Sequence, residues 1–508
     1  MKGRGKLVAV CVVWLVILGL GAMAWKWFVV PSREAAQKQA EAENKKKILT
    51  ETGSDSRYDH VVNVALDSFS GYAVLRSEEF ANELGSKRIK FNLVDDGADY
   101  TARMKALKDG EIQLAVITID ALIKGCDTLG TMPATIVAVV DETRGADAMV
   151  AFKSAVPNVD AFNHKDMKFI LTPNSPSETL TRVVQAHFNL TGLGPKPFVD
   201  CKDAEEVYKK YRAAKHEDKQ VFVLWEPYVS KVLENPNMHV VVDSSRFKGY
   251  IVDVIVANRD FLHANRDVVT KFIESYFRAN YAHRDKMVEL ILADVQKTGS
   301  PITDNQAKSL VNGIWWKNTQ ENYVHFGVEK GKLQHVEDAI SNITKVLLKT
   351  GTISKDPTNG QPNLLYYPQI LQQMQAVGFH PGVEKVRDDT TTLPVLTQNQ
   401  WKNLQPVGTL ELPPLVFARG TATMTEQSQR VLDDLVKTFN TWPQYYLVIK
   451  GNASLEGDVD VNKALATTRA RAAEQYLVER GISQNRINAT GEATGKTSVD
   501  FILGQLPY

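Results

Sequence analysis

The sequence predicts an α/β protein of several domains, preceded by one N-terminal transmembrane helix. Three observations predict it. An uncharged apolar run lies near the N-terminus, and short apolar strands alternate with helical stretches from Tyr58 onward. After a proline-rich interval, a second and shorter α/β series follows. The chain has 508 residues, too many for one ordinary core, so two or three domains are expected. Hydrophobic residues make up 44% and charged residues 23%, a globular balance.

The N-terminal run is LVAVCVVWLVILGLGAMAW (7–25). As a helix it reaches about 28 Å, one bilayer core. Lys2, Arg4 and Lys6 precede it, which favours a cytoplasmic N-terminus, and Trp25, Trp27 and Phe28 follow it as interfacial aromatics would. Ala22-Met23-Ala24 also has the form of a signal-peptide cleavage site, so a retained anchor and a cleaved leader both remain open. Under either reading the bulk of the chain is exported. Residues 1–30 are read as a cytoplasmic tip and inner-membrane anchor, and 31–56, rich in Ala, Glu, Lys and Gln, as a polar spacer.

Strands are expected at VVNVAL (61–66), IKFNLV (89–94), IQLAVIT (112–118), TIVAVVD (135–141), KFILT (168–172), QVFVLW (220–225) and HVVVD (239–243). Apolar runs of this kind argue for buried, largely parallel sheets covered by helices. Residues 260–350 are mainly helical, with amphipathic runs at Val268–Ala279 and Val336–Leu348. Residues 351–408 carry six prolines from Pro357 to Pro406 and read as an appendage leading to a linker. From Thr409 the pattern is strand LVFA (415–418), helix Glu426–Thr441, strand YYLVIK (445–450), helix Val461–Arg480, and strands near Ile487–Thr490 and Val499–Leu503.

Several function classes are excluded. The formal net charge is +1 with only short basic clusters such as Lys45–Lys47, which argues against nucleic acid as a partner. Of the three cysteines, Cys11 lies in the apolar run, leaving Cys126 and Cys201, enough for one bridge at most. No ligand set has zinc spacing, and no His-Glu-x-x-His or Gly-x-Ser-x-Gly motif is present, so neither a metal, a cofactor nor an enzyme is expected. GEATGKT (491–497) has three residues between its glycines where a nucleotide-binding loop has four.

Five segments carry a resemblance: DGADYTARMKALKDGEIQLAVITIDALI (96–123), DETRGADAMVA (141–151), LTPNSPSE (171–178), VLWEPYVSKV (223–232) and IVDVIVANRDFL (251–262). In this order and spacing, residues 57–350 resemble periplasmic solute-binding proteins of the nitrate, sulfonate and taurine ABC-transporter type. The resemblance implies a two-lobed periplasmic-binding-protein fold, with a small polar solute held in the cleft between lobes that close around it. It also raises an ABC permease as a partner. A pyrimidine-precursor enzyme on this fold uses a cysteine-rich iron motif, which Cys126 and Cys201 cannot supply.

In open α/β sheets, ligands sit beyond the carboxyl ends of strands. Residues expected there are Ser68, Ser70, Gly71 and Tyr72 after the first strand, and Thr118 and Asp120 after the third. Thr172, Ser175 and Ser177 follow at a helix start, and Trp225 and Glu226 at a strand end. Ser175 is expected as N-cap, Pro176 as first helical residue and Glu178 as capping-box partner. Asp141 and Asp253 fall near the expected crossovers, where they would position hinges. Carboxylates such as Glu178 and Glu226 suit a cation, an amine or a doubly charged ligand better than a plain anion, so the family's anion preference is not carried over.

LVFARGTATMTEQSQRVLDDLV (415–436) and VIKGNASLEGDVDVNKALATTRARAAEQYLVERGISQNRINATGEA (448–493) make residues 409–508 resemble an OmpA-like peptidoglycan-binding domain. The resemblance implies binding of the diaminopimelate of the peptide stem by a loop carboxylate and a helix arginine. Here the family's Gly-His-Thr-Asp is Gly451-Asn452-Ala453-Ser454, while Asn462, Leu465 and Arg469 keep their places. Ser454 supplies no charge, leaving Glu456 or Asp458 to replace the carboxylate. The expected function is a membrane-anchored, wall-tethered periplasmic solute-binding protein. The alternative is an envelope scaffold or sensor with a vestigial cleft and weakened peptidoglycan binding.

Overall fold

The computed structural model describes residues 58–188, 190–297, 302–387 and 393–506. The expected transmembrane helix and spacer lie outside the described residues. Among those residues, no helix is long and apolar enough to cross a membrane. The chain separates at Val61/Val62, and the architecture below is that of the second unit, Val62–Tyr508.

Strands β1 (His60–Ala65), β2 (Ile89–Val94), β3 (Leu114–Thr118) and β4 (Ala134–Thr143) begin a first sheet. The chain then builds a second sheet from β5 (Asp147–Phe152), β6 (Lys168–Leu171), β7 (Phe198–Asp200), β8 (Gln220–Trp225) and β9 (Met238–Asp243). It returns to the first through β10 (Val252–Asn258) and β11 (Ile314–Trp316). The strand orders are β11-β4-β10-β3-β1-β2 and β7-β6-β8-β5-β9. Every residue of β3, β4 and β10 is buried, as continuous apolar strands covered on both faces must be.

The chain therefore crosses between lobes twice, β4 to β5 and β9 to β10, and the two crossovers touch. The Gly145 amide donates to Ser244 Oγ at 2.8 Å, and the Thr143 amide donates to the Ile251 carbonyl at 3.1 Å. Two α/β lobes joined by paired crossovers form the expected two-lobed periplasmic-binding-protein architecture. The sheets are mixed rather than largely parallel. Pairs β1/β3, β6/β7 and β6/β8 are parallel, but β10 runs antiparallel to β3 and β4, and β5 antiparallel to β8 and β9. A parallel neighbour needs a long crossover within its own sheet. Strands β5 and β10 each enter from the other lobe instead.

The described residues between Arg259 and Lys349 are mainly helical, as expected, apart from β11. Val336–Lys349 buries Val336, Ala339, Ile340, Ile343 and Leu347, one stripe at helical spacing. The proline-rich interval holds short helices at Gln369–Ala376 and Gln398–Lys402.

The C-terminal sheet has the order β12-β15-β13-β14, with β12 at Gln405–Thr409, β13 at Tyr446–Ala453, β14 at Ile487–Ala493 and β15 at Ser498–Gln505. The expected strand LVFA is not part of it. Pro413 and Pro414 interrupt the chain just before, and only Phe417 makes a bridge, to Met424. The strand beside β15 is instead β12, which lies across the expected linker boundary. Helices Glu426–Asn440 and Val459–Glu479 cover this sheet. The longer one faces it with Ala466, Ala470 and Ala473, and a Cβ at Gly451 would run into the Ala466 carbonyl. GEATGKT spans the turn between β14 and β15 with no helix after it, so it is not a phosphate loop.

The C-terminal unit docks on the second lobe and on the crossover after β9. Trp442, only 1% exposed, meets His187 and Phe247 at ring distances of 5.0 and 6.0 Å. The Lys248 amide donates to the Thr441 carbonyl at 2.6 Å, and the Glu411 amide to the His187 carbonyl at 2.8 Å.

Candidate functional site: a buried acidic row at the lobe junction and a C-terminal loop

Strand register assembles the cleft. Asp253 on β10 lies opposite Thr118 on β3 and opposite Asp141 on β4, and Asp141 lies opposite Trp316 on β11. Directly opposed residues share a sheet face, so these four side chains form one row at the crossover end of the first lobe. The second lobe answers with Asp147, at the start of β5, opposite Trp225 on β8.

The loop after β1 closes over the row. The Tyr72 hydroxyl donates to Asp253, and Trp316 Nε1 donates to the Gly71 carbonyl at 2.7 Å. Gly71 is required here, because a Cβ would lie 2.6 Å from Asp141 Oδ2. Ser70 and Tyr72 are buried with this loop, whereas Ser68 is exposed.

Asp120 is buried and holds the lobes together. It accepts from Thr179 Oγ1 of the second lobe at 2.6 Å, and Lys124 reaches it at 3.2 Å and Glu178 at 3.8 Å. The expected capping box at Ser175 does not form. Ser175 occupies the N-cap position and Pro176 begins the helix, but Ser175 Oγ donates to the Thr172 carbonyl. Glu178 accepts from the Asn174 amide at 2.7 Å and pairs with Arg182 at 3.0 Å. With Arg182 and Lys124 beside it, Glu178 is drawn away from Ser175. Glu226 accepts from the Ser230 amide and hydroxyl, so it caps the helix Tyr228–Leu233. Trp225 is half-buried against the second-lobe core.

Several buried polar atoms at the lobe junction have no hydrogen-bond partner: Thr118 Oγ1, Asp120 Oδ1, Asp147 Oδ1, Thr172 Oγ1 and Ser177 Oγ, and the Asp141 oxygens have none besides the Asp253 carboxyl. Buried polar groups are ordinarily satisfied, so each of these needs a reason. Burial and the Asp253 charge push the Asp141 carboxyl well above the usual range, although Lys317 opposes the shift. Asp253 is pushed to about 7 by burial, although the Tyr72 hydroxyl pulls it back. Asp147 is also pushed to about 7 by burial, with Asp253 and Asp120 adding to it. The Asp141 and Asp253 carboxyls are within hydrogen-bonding reach of each other. Two such groups persist only by sharing a proton or taking up a cation.

Sequence reasoning set Asp141 and Asp253 aside as hinge residues and did not single out Asp147 or Trp316. The available signal was a carboxylate inside otherwise apolar strands, TIVAVVDE and VDVIVA, where an unpaired charge is costly. Cys126 and Cys201 are both free and buried. Among the described residues, no group of side chains could hold a metal ion.

In the C-terminal unit the loop after β13 is tied down internally. Ser454 Oγ accepts from the Glu456 amide at 3.0 Å, and Asn462 Nδ2 donates to the Glu456 carbonyl at 2.8 Å. Asp458 caps the helix Val459–Glu479, accepting from the amides of Asp460 and Val461. That role leaves the exposed Glu456 as the freer of the two loop carboxylates. Arg469 Nε donates to the Thr421 carbonyl at 3.0 Å, and its guanidinium lies 5.1 Å from the Phe417 ring centre.

Residues 416–500 match the OmpA family. A 73-residue stretch is 32% identical to the peptidoglycan-associated lipoprotein of Rhizobium meliloti (strain 1021) and 29% identical to that of Mesorhizobium japonicum. The match spans 14% of this chain and only 42% and 44% of those relatives. Among solved structures, the periplasmic aliphatic sulphonate binding protein of Escherichia coli aligns at TM-score 0.46 and 14% identity. It covers 61% of this chain and 99% of its own. The nitrate-binding protein of Synechocystis PCC 6803 aligns at 0.45 and 14%, covering 63% and 89%. The alkanesulfonate-binding protein of Xanthomonas axonopodis pv. citri, bound to MOPS, aligns at 0.44 and 14%, covering 59% and 96%. The two-lobed architecture stands on its own sheet topology rather than on these likenesses.

Proposed function

We propose that this chain is a periplasmic binding protein that captures a small polar solute between its two lobes. Its C-terminal domain would tether it to peptidoglycan, and its N-terminal run to the inner membrane, beside an ABC permease that receives the solute. The observation that carries the binding half is the set of buried, unpartnered polar atoms at the junction of the lobes. A binding cleft accounts for them, because a bound solute supplies the missing partners. The test is mass spectrometry of small molecules released from the natively purified full chain. A stoichiometric solute is expected, and its absence, together with no thermal shift across amines, amino acids, sulfonates, phosphate and nitrate, would remove the binding reading.

The wall-binding half rests on Arg469 and is conditional on charge. A serine in place of the family carboxylate weakens a desolvated charge pair by about 2–5 kcal/mol. In a sacculus pull-down, Ser454→Asp is expected to strengthen binding at least severalfold and Arg469→Ala to weaken it. If neither changes retention, the clamp reading fails. That outcome favours the second reading, an envelope scaffold, which already has one observation behind it: Arg469 has intramolecular contacts, its Nε with the Thr421 carbonyl and its guanidinium with the Phe417 ring.

A further inference from the structure

We infer that the cleft selects an organic cation, a solute bearing amino or guanidino groups, rather than an anion; this rests on the solute-binding reading above. Three carboxylates at the lobe junction, Asp141, Asp147 and Asp253, are each 2% exposed or less. Among the described residues none of the three makes a salt bridge, while every cation near them is committed. Arg103 is bound to Asp67 and Asp96, Lys124 to Asp120 and Glu178, and Lys317 to Glu142. An anion entering here would meet carboxyl groups that no basic side chain pairs with, and no uncommitted positive partner.

The helix start at Pro176, which in general suits an anion, has two of the protein's own carboxylates beside it. Asp120 accepts from the Thr179 hydroxyl in the first turn, and Glu178 accepts from the Asn174 amide just before it. The unpartnered hydroxyls of Thr118 and Ser177, both at least nine-tenths buried, can accept from a donor-rich ligand. Thr118 shares a sheet face with Asp253 and so aims into the same row. Aromatic walls complete the fit, because Tyr72 is bonded to Asp253 and Trp225 lies opposite Asp147. Among the described residues no group of three or more His, Cys, Asp or Glu side chains converges as a metal site, and the hydroxyls and aromatic rings around the row suit an organic cation.

Calorimetry and thermal shift on the full chain test this directly, with putrescine, agmatine and arginine set against ethanesulfonate, taurine and nitrate. At least one of the first three is expected to bind at micromolar concentration and raise the melting temperature by several degrees, while ethanesulfonate and nitrate do neither. Asp147→Asn and Asp253→Asn are isosteric and should melt cooperatively while binding the cation at least tenfold more weakly. Two variants are used so that a failure of either to fold leaves the other informative. Binding of ethanesulfonate or nitrate with no response to the cations overturns the charge assignment and leaves solute binding standing. No response to any of the six overturns both. Cation binding that both well-folded variants retain unchanged also overturns the assignment, because the carboxylates would then not be its partners.

Discussion

Asp141 and Glu142 are neighbours in sequence and face opposite sides of β4, as alternation requires. Glu142 meets Lys317 and Arg144, each at 2.8 Å, and the Gly249 amide at 2.8 Å. Burial works against its charge, but those partners hold its carboxyl well below the usual range. Glu142→Gln would leave Lys317 buried beside a neutral group, and a loss of about 3–5 kcal/mol is expected in chemical denaturation. Asp141, with no donor, behaves in the opposite way. Asp147 offers the cleaner pH test. Its raised value means the folded protein holds a proton that the unfolded chain releases near pH 4. Its contribution to stability is complete below that value and lost as pH rises through about 7. His187 and His325, lowered by burial to about 3 and 4, act with the opposite sign, stabilising above the ordinary imidazole value and losing that as pH falls. The windows overlap, so the readout is a difference. The melting temperature of Asp147→Asn minus that of the parent should climb from about pH 4 to 7 and then level off.

At the scale of elements, the central strands were legible because continuous apolar runs leave few alternatives. IKFNLV and QVFVLW form strands over the expected residues. Strand direction was not legible. The composition of VDVIVAN matches that of a parallel strand, and only the path of the crossover sets β10 antiparallel. The same register places Asp253 beside Asp141, a juxtaposition of residues 112 positions apart that no local pattern carries. LVFA misled because a four-residue apolar run resembles an edge strand, whereas the real edge, QPVGT, contains Pro and Gly. A fragment beginning at residue 410 would lack β12 and leave one side of β15 unpaired. A fragment beginning at residue 393 keeps β12 and the contacts of Tyr446 with the Pro394 carbonyl and Trp401. The longer fragment is expected to melt higher and to stay monomeric in light scattering.

At the scale of the molecule, the C-terminal unit, the second lobe and a crossover meet at one seam. Trp442 fills it, meeting Phe247 from the crossover and His187 from the second lobe, whose imidazole is bonded to Tyr250 at 3.1 Å and is lowered by burial to about 3. Trp442→Ala should remove about 3–5 kcal/mol. Hydrogen exchange should then quicken at Ser245–Ile251 before it quickens in β3 or β4. If exchange in that crossover is unchanged, the seam does not stabilise it.

The seam also ties two affinities together. Ser245, Phe247 and Lys248 touch the C-terminal unit, and the same stretch carries the chain from one lobe to the other. On the proposed function, lobes closing on a solute would turn that stretch, and restraining the C-terminal unit would restrain it. By reciprocity, whatever factor immobilisation on the wall contributes to solute affinity, solute must return to wall affinity. Titrating solute into sacculus-bound and free protein measures the first factor, and wall retention with and without solute measures the second. The two must be equal, and both equal one if the seam is only glue.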